Sequence, residues 1–170
     1  MHSTKSSLVR VCGAAAALLL LGCGSSSITG DPAAAFAGNW TFGSGSIDAT
    51  CNVTIPSFDL TGDTLTITRV DSTHVKTSLQ GNGLSCDVNF TVTGSTATAP
   101  GGQTCAVTTT VSGTTVTAVI QISAWSLVVS GETLSNSMSG TATAAGGLVS
   151  CSTVTADGMA TRASDGGTRG

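Results

Sequence analysis

Charge and large side chains are both scarce in this chain. Asp, Glu, Lys and Arg together make up 9% of it and aromatics 4%; tyrosine is missing altogether, and 3 of the 170 residues are proline. Each shortage excludes something. Beyond residue 22 the basic residues are Arg69, Lys76, Arg162 and Arg169, set against nine acids, a net charge near −5. Nucleic acid is therefore not an expected partner, because no basic patch exists to neutralise phosphates. The Leu-, Glu- and Lys-rich stretches that build surface helices are also missing.

Histidine is scarcer still, with His74 alone after His2. A serine nucleophile needs a base, and His74 with Asp71 is the one pair on offer. It sits on the turn Asp71-Ser72-Thr73, where an exposed turn histidine is the expected reading. Asp48, Asp59, Asp63, Asp71, Asp87 and Asp157 are scattered on turns rather than paired for glycoside chemistry. Asp59 and Asp63 flank Thr61-Gly62. Calcium would want more oxygen ligands at fixed spacing, so an ordinary turn is expected there. The Gly-Gly and Gly-x-Gly pairs fall in hairpin turns, with no helix following to cradle phosphate. No enzyme activity, cofactor or metal is expected.

What the chain has is Thr, Ser, Gly and Val. Leu65 and Ile67 alternate with Thr64, Thr66 and Thr68; Val75, Thr77 and Leu79 share the next face. Leu84, Cys86, Val88, Phe90 and Val92 point one way against Ser85, Asp87, Asn89, Thr91 and Thr93. Turn signals recur along the domain, at Gly81-Asn82-Gly83, Gly94-Ser95, Pro100-Gly101-Gly102, Ser112-Gly113, Ser130-Gly131 and Gly146-Gly147. The apolar phase shifts between Ile122 and Trp125, which predicts a bulge near Ser123-Ala124. The expected fold is all-β: an antiparallel up-and-down barrel of about eight or nine strands, with a β-sandwich as the alternative. Closure is favoured because few charges guard these Thr/Val edges against pairing with other chains.

The amino terminus carries an address. Lys5 and Arg10 precede an uncharged apolar run, Gly13 to Leu21, and Leu20-Leu21-Gly22-Cys23 follows. Basic, then apolar, then small is the order of a secretory signal peptide. The cysteine after Leu-Leu-Gly resembles the lipobox of bacterial lipoproteins. That resemblance implies a signal peptide over 1–22, cleavage before Cys23, and lipid (palmitate included) on Cys23. Residues 23–35, rich in Ser, Gly and Ala, are expected to be a flexible tether, and 36–170 a single domain. The implied place is the bacterial cell envelope, anchored by lipid. Gly24 stands where some inner-membrane lipoproteins carry aspartate, which favours the outer membrane.

With Cys12 in the signal and Cys23 on lipid, Cys51, Cys86, Cys105 and Cys151 remain. An even number in an exported chain predicts two disulfides, and spacing alone leaves all three pairings open. Zinc is disfavoured, because no two of these cysteines sit at a C-x2-4-C spacing.

Phe36-Ala37-Gly38-Asn39-Trp40-Thr41-Phe42 opens the domain. Its G-x-W at the head of a strand resembles the start of lipocalins and of avidin-like barrels. The resemblance implies that Gly38 and Trp40 form a barrel floor with the indole as plug. In lipocalins an arginine after the last strand packs over that tryptophan, and Arg162 is placed to match. The lipocalin loop motif ending in Asp-Tyr is absent. In an up-and-down barrel the first and last strands pair, which favours Cys51–Cys151 as a staple of that seam. Cys86 and Cys105 begin strands two apart in the expected meander and would share an end. The functional expectation is a lipid-anchored envelope protein binding a small apolar ligand in the barrel. The alternative is a structural or protein-interaction lipoprotein with a filled core. Neither oligomeric state nor protein partner follows from the sequence.

Overall fold

The computed structural model describes residues 30–81, 83–111, 114–144 and 147–163. The signal peptide, Cys23, and the turn residues Asn82, Ser112, Gly113 and Gly146 lie outside the described residues. Within them the strands are β1 (Gly38–Cys51), β2 (Phe58–Asp59), β3 (Thr64–Arg69), β4 (His74–Gly81), β5 (Leu84–Thr93), β6 (Thr96–Ala99), β7 (Thr104–Val111), β8 (Thr114–Ser130), β9 (Thr133–Ala144) and β10 (Ser150–Arg162). Sequence alternation becomes burial alternation. Every second residue of β5 from Leu84 is buried, and the same holds for β9 from Leu134. Apolar side chains face in while Thr and Ser face out, the reverse of a membrane-spanning barrel.

All pairings are antiparallel, and β1 closes on β10 from Trp40↔Arg162 to Cys51↔Cys151. The result is a closed barrel with eight wall positions, as the poorly guarded Thr/Val edges predict, rather than a sandwich. Two of those positions are occupied by interrupted strands. β2 and β3 pair with the same edge of β1 in one continuous register. β6 and β7 likewise share one position between β5 and β8.

The second interruption corrects a sequence expectation. Pro100-Gly101-Gly102 does not reverse the chain; it makes an excursion inside one strand position. The ladder is repaired on both sides of the break. Gln103 uses its side-chain amide as a substitute backbone, accepting from the Asn89 N–H and donating to the Asn89 C=O, both at 2.8 Å. On the β8 side, Gly102 N–H donates to Ile122 and Ile122 N–H to Gln103. These bonds carry the ladder across the break, which is why the wall tolerates it. The bulge predicted near Ser123 is present: the β8–β9 register slips between Ile122 and Ala124.

The amino-terminal boundary also moves. Residues 32–35, read as tether, form a short 3-10 helix (Pro32–Ala35) with Ala33 fully buried. Asp31 caps it and pairs with Arg69 at 2.7 Å, and Ala33 N–H donates to Ser72 C=O. The packed domain therefore begins at Asp31, because a small alanine turn fits under the barrel where a solvated linker was expected.

Strand direction fixes which residues share an end. Gly38, Arg69, His74, Thr93, Ser130, Thr133 and Arg162 lie at one end; Cys51, Gly81, Leu84, Val111, Thr114, Ala144 and Ser150 lie at the other. We call these the floor and the mouth.

Candidate functional site

The floor is built around Trp40. Its side chain has no solvent exposure, and its Nε1–H donates to Phe36 C=O at 2.8 Å. Arg162, directly opposite in the β1–β10 register, lays its guanidinium over the indole with Cζ 4.3 Å from the ring centroid. That contact is worth on the order of 0.5–2 kcal/mol. The same guanidinium donates from Nη1 to Ala37 C=O at 2.5 Å and from Nη2 to Ala35 C=O at 2.6 Å, and its Nε pairs with Glu132 at 3.1 Å. Arg162 thus ties the last strand to the first strand and to the short helix before it. Gly38 is glycine for two reasons. Its φ is +131°, and a Cβ there would meet Arg162 Nη1 at 2.9 Å. The three residues singled out by the sequence, Gly38, Trp40 and Arg162, stand together at one end.

Above the floor the interior is filled. Phe90 and Trp125 meet edge to face, with centroids 5.3 Å apart. Trp125 Nε1–H donates to Asn136 Oδ1 at 2.6 Å, and Asn136 Nδ2–H donates to Ala156 C=O at 3.2 Å, so this buried amide is held on two sides. The voids that remain at this level are about 10 Å³.

Nearer the mouth the side chains shrink. Ala49, Val116, Ala118, Ala142, Ala144 and Val154 line a cup where Trp and Phe line the floor. The cup is wholly apolar; it holds a cavity of about 50 Å³, or about 590 Å³ counting the part open to solvent. Ile55 and Phe58, from the loop after β1 and from β2, stand partly exposed at its edge. β2 pairs with β1 alone among the described strands, so the wall beside Phe58 is open toward Leu84 and Val107. The sequence pattern marked these strands as inward-facing but did not reveal that their volumes fall toward one end.

Both disulfides are formed: Cys51–Cys151 and Cys86–Cys105. The first joins register partners across the seam, and Cys151 lines the cup. The second also joins direct register partners, on adjacent strands β5 and β7. The expected pairing is present, but the strands are not two apart, because the Pro100–Gly102 excursion adds no strand position between them.

The polar clusters weighed for chemistry are turn structures. His74 Nδ1 lies 2.9 Å from the Asp71 carboxylate and 3.2 Å from Thr73 Oγ1. A relay through imidazole needs acid and hydroxyl on opposite ring nitrogens, and here both meet the same one. The Asp71 carboxyl is held below its ordinary range first by the Thr73 backbone N–H, as in any such turn. Asp59 accepts from Thr61 N–H at 2.8 Å, and hydrogen bonds from Thr61 lower its pKa. Near the mouth, Asp48 on the outer wall accepts from the hydroxyls of Ser57 and Ser46, and these two bonds lower its pKa in that order. Among the described residues no three His, Cys, Asp or Glu side chains gather to hold a metal ion. No helix among them is long and apolar enough to cross a membrane. Compared with family models, with curated proteins and with solved structures, the chain matches none.

Proposed function

We propose that this chain is a lipid-anchored protein of the bacterial cell envelope whose barrel takes a small apolar ligand at its mouth. The observation that carries the ligand part is the cup: an apolar recess, open to solvent, at the end opposite the Trp40 plug. Small-molecule sites are concave and mostly apolar. The expected test is calorimetric titration with a panel of lipids and aromatic compounds. Ala118→Phe, which fills the cup, should abolish the binding heat and leave the far-ultraviolet circular dichroism unchanged. The structural reading, an envelope protein with a filled core, is favoured by the small voids below the cup. It takes over if the folded wild-type protein binds nothing on the panel.

The anchor part rests on Leu20-Leu21-Gly22-Cys23 after a basic and apolar start. Asp31, where packing begins, belongs to the floor. It lies eight chain steps after Cys23, a reach of at most roughly 26–29 Å. A lipid on Cys23 would hold the floor toward its own leaflet and turn the mouth away from it. Gly24 favours the outer membrane over the inner. Cys23→Ser should move the protein to the soluble periplasmic fraction or leave it unprocessed, as read by fractionation and mass. A variant still bound to membranes and normally cut would overturn the anchor.

A further inference from the structure

The cup is small, and neither its lining nor the connections at the mouth carry a charged residue; together these restrict what can enter. A cavity of about 50 Å³ is far below the roughly 150 Å³ of an apolar cavity that accepts benzene. A ring would have to push the wall apart, whereas the end of a slender chain would not. Charge is excluded over a wider area. Residues 88–131 and 133–156, which supply most of β5 to β10, carry no Asp, Glu, Lys, Arg or His, and neither do 49–57 or 77–86. Every connection at the mouth falls within these segments. The charged residues of the floor, Asp31, Arg69, Asp71, Glu132 and Arg162, are at the other end.

Next to the cup is a second recess of about 360 Å³, open to solvent and lined by residues 49–55. It shares Ala49 and Ile55 with the cup, so the two adjoin. Its polar groups are the hydroxyls of Thr50 and Thr54, the Asn52 amide and the backbone. Asn52 is already engaged with β10, donating to Leu148 C=O and accepting from Ser150 N–H. This recess can hydrogen-bond a neutral head but offers an ionic head no counter-charge. The ionised groups near it are Asp48, on the outer wall with its oxygens held by Ser46 and Ser57, and Asp59 and Asp63 along the gap beside Phe58.

Resting on the ligand-binding reading above, we infer that the ligand is a slender unbranched aliphatic chain with an uncharged, hydrogen-bonding head. The chain enters the cup end-on beside Ile55 and Phe58. The head stays in the recess at Thr50 and Thr54. An ionised head in the same place would lose hydration without gaining a partner.

Titration calorimetry on the full domain with four probes tests this: n-decanol, decanoate at pH 8, decyltrimethylammonium and 2-naphthalenemethanol. The expected result is that n-decanol binds at least about tenfold more tightly than each of the others. Thr50→Lys, at an exposed rim position, should then tighten decanoate by about tenfold without tightening n-decanol. Decanoate, the ammonium or the naphthyl alcohol binding wild type as tightly as n-decanol would overturn this inference and leave the ligand-binding reading standing. No binding by any probe or by the wider panel would remove both.

Discussion

Trp40→Ala should lower the unfolding free energy by roughly 3–5 kcal/mol, the range for deleting a fully buried aromatic. The side chain is sealed from solvent, and its loss opens a hole that the floor cannot close by relaxation. The hole would also leave Phe36 C=O without its 2.8 Å donor. Arg162→Ala should cost less, roughly 1.5–3 kcal/mol, through its charged hydrogen bonds to Ala35 and Ala37. The informative quantity is the coupling between the two. Because guanidinium and indole touch, the double variant should depart from additivity by more than about 0.5 kcal/mol in denaturant titrations. Additive losses would mean that the two side chains do not meet in solution.

The floor was legible through a resemblance, the G-x-W at the head of the first strand, which implied that Gly38, Trp40 and Arg162 meet. A glycine two residues before a tryptophan is a local pattern, and an arginine near the last strand end is a local pattern too. Closure of an antiparallel barrel brings first and last strands together, so two local patterns become one contact. The seam cysteines were legible by the same logic. The regular strands were legible because β5 and β9 alternate without a fault. β1 was harder: Gly43 and Gly45 interrupt its apolar period, and its burial pattern is irregular.

The misreadings share a cause. Turn-forming residues report a local backbone need, not a direction of travel. At Pro100-Gly101-Gly102 that need is met by an excursion, and only Asn89, Gln103 and Ile122, brought together by non-local pairing, decide that the chain resumes its course. The short helix at Pro32–Ala35 has no apolar period of its own and is fixed by Asp31, Arg69 and Ser72. The cup was not legible because it depends on a gradient of side-chain volume along the barrel axis. Ala118, Ala142 and Ala144 come from strands whose inward positions nearer the floor are Trp125, Leu127 and Leu134. Each strand alone reads as an ordinary apolar alternation.

Removing the seam disulfide with the pair Cys51→Ser and Cys151→Ser should lower stability by roughly 4–5 kcal/mol, as judged by chemical denaturation. The bond spans a sequence separation of 100 residues, and the chain-entropy argument scales with the logarithm of that loop. Cys86–Cys105 spans 19 residues, so its removal should cost nearer to about 3 kcal/mol. The ordering of the two losses tests where the stabilisation resides. If it resides in the unfolded chain, the folded seam should survive without the bond. The ladder from Trp40↔Arg162 to Thr50↔Thr153 remains to hold β1 against β10, and the near-ultraviolet spectrum of Trp40 and Trp125 should be unchanged in the seam variant. The midpoint would fall while the native signal stayed. A seam variant whose near-ultraviolet signal collapses in buffer would show instead that the mouth cannot stay closed on hydrogen bonds alone. The bond would then be part of the cup's wall as well as a constraint on the unfolded chain, consistent with Cys151 lining that cup.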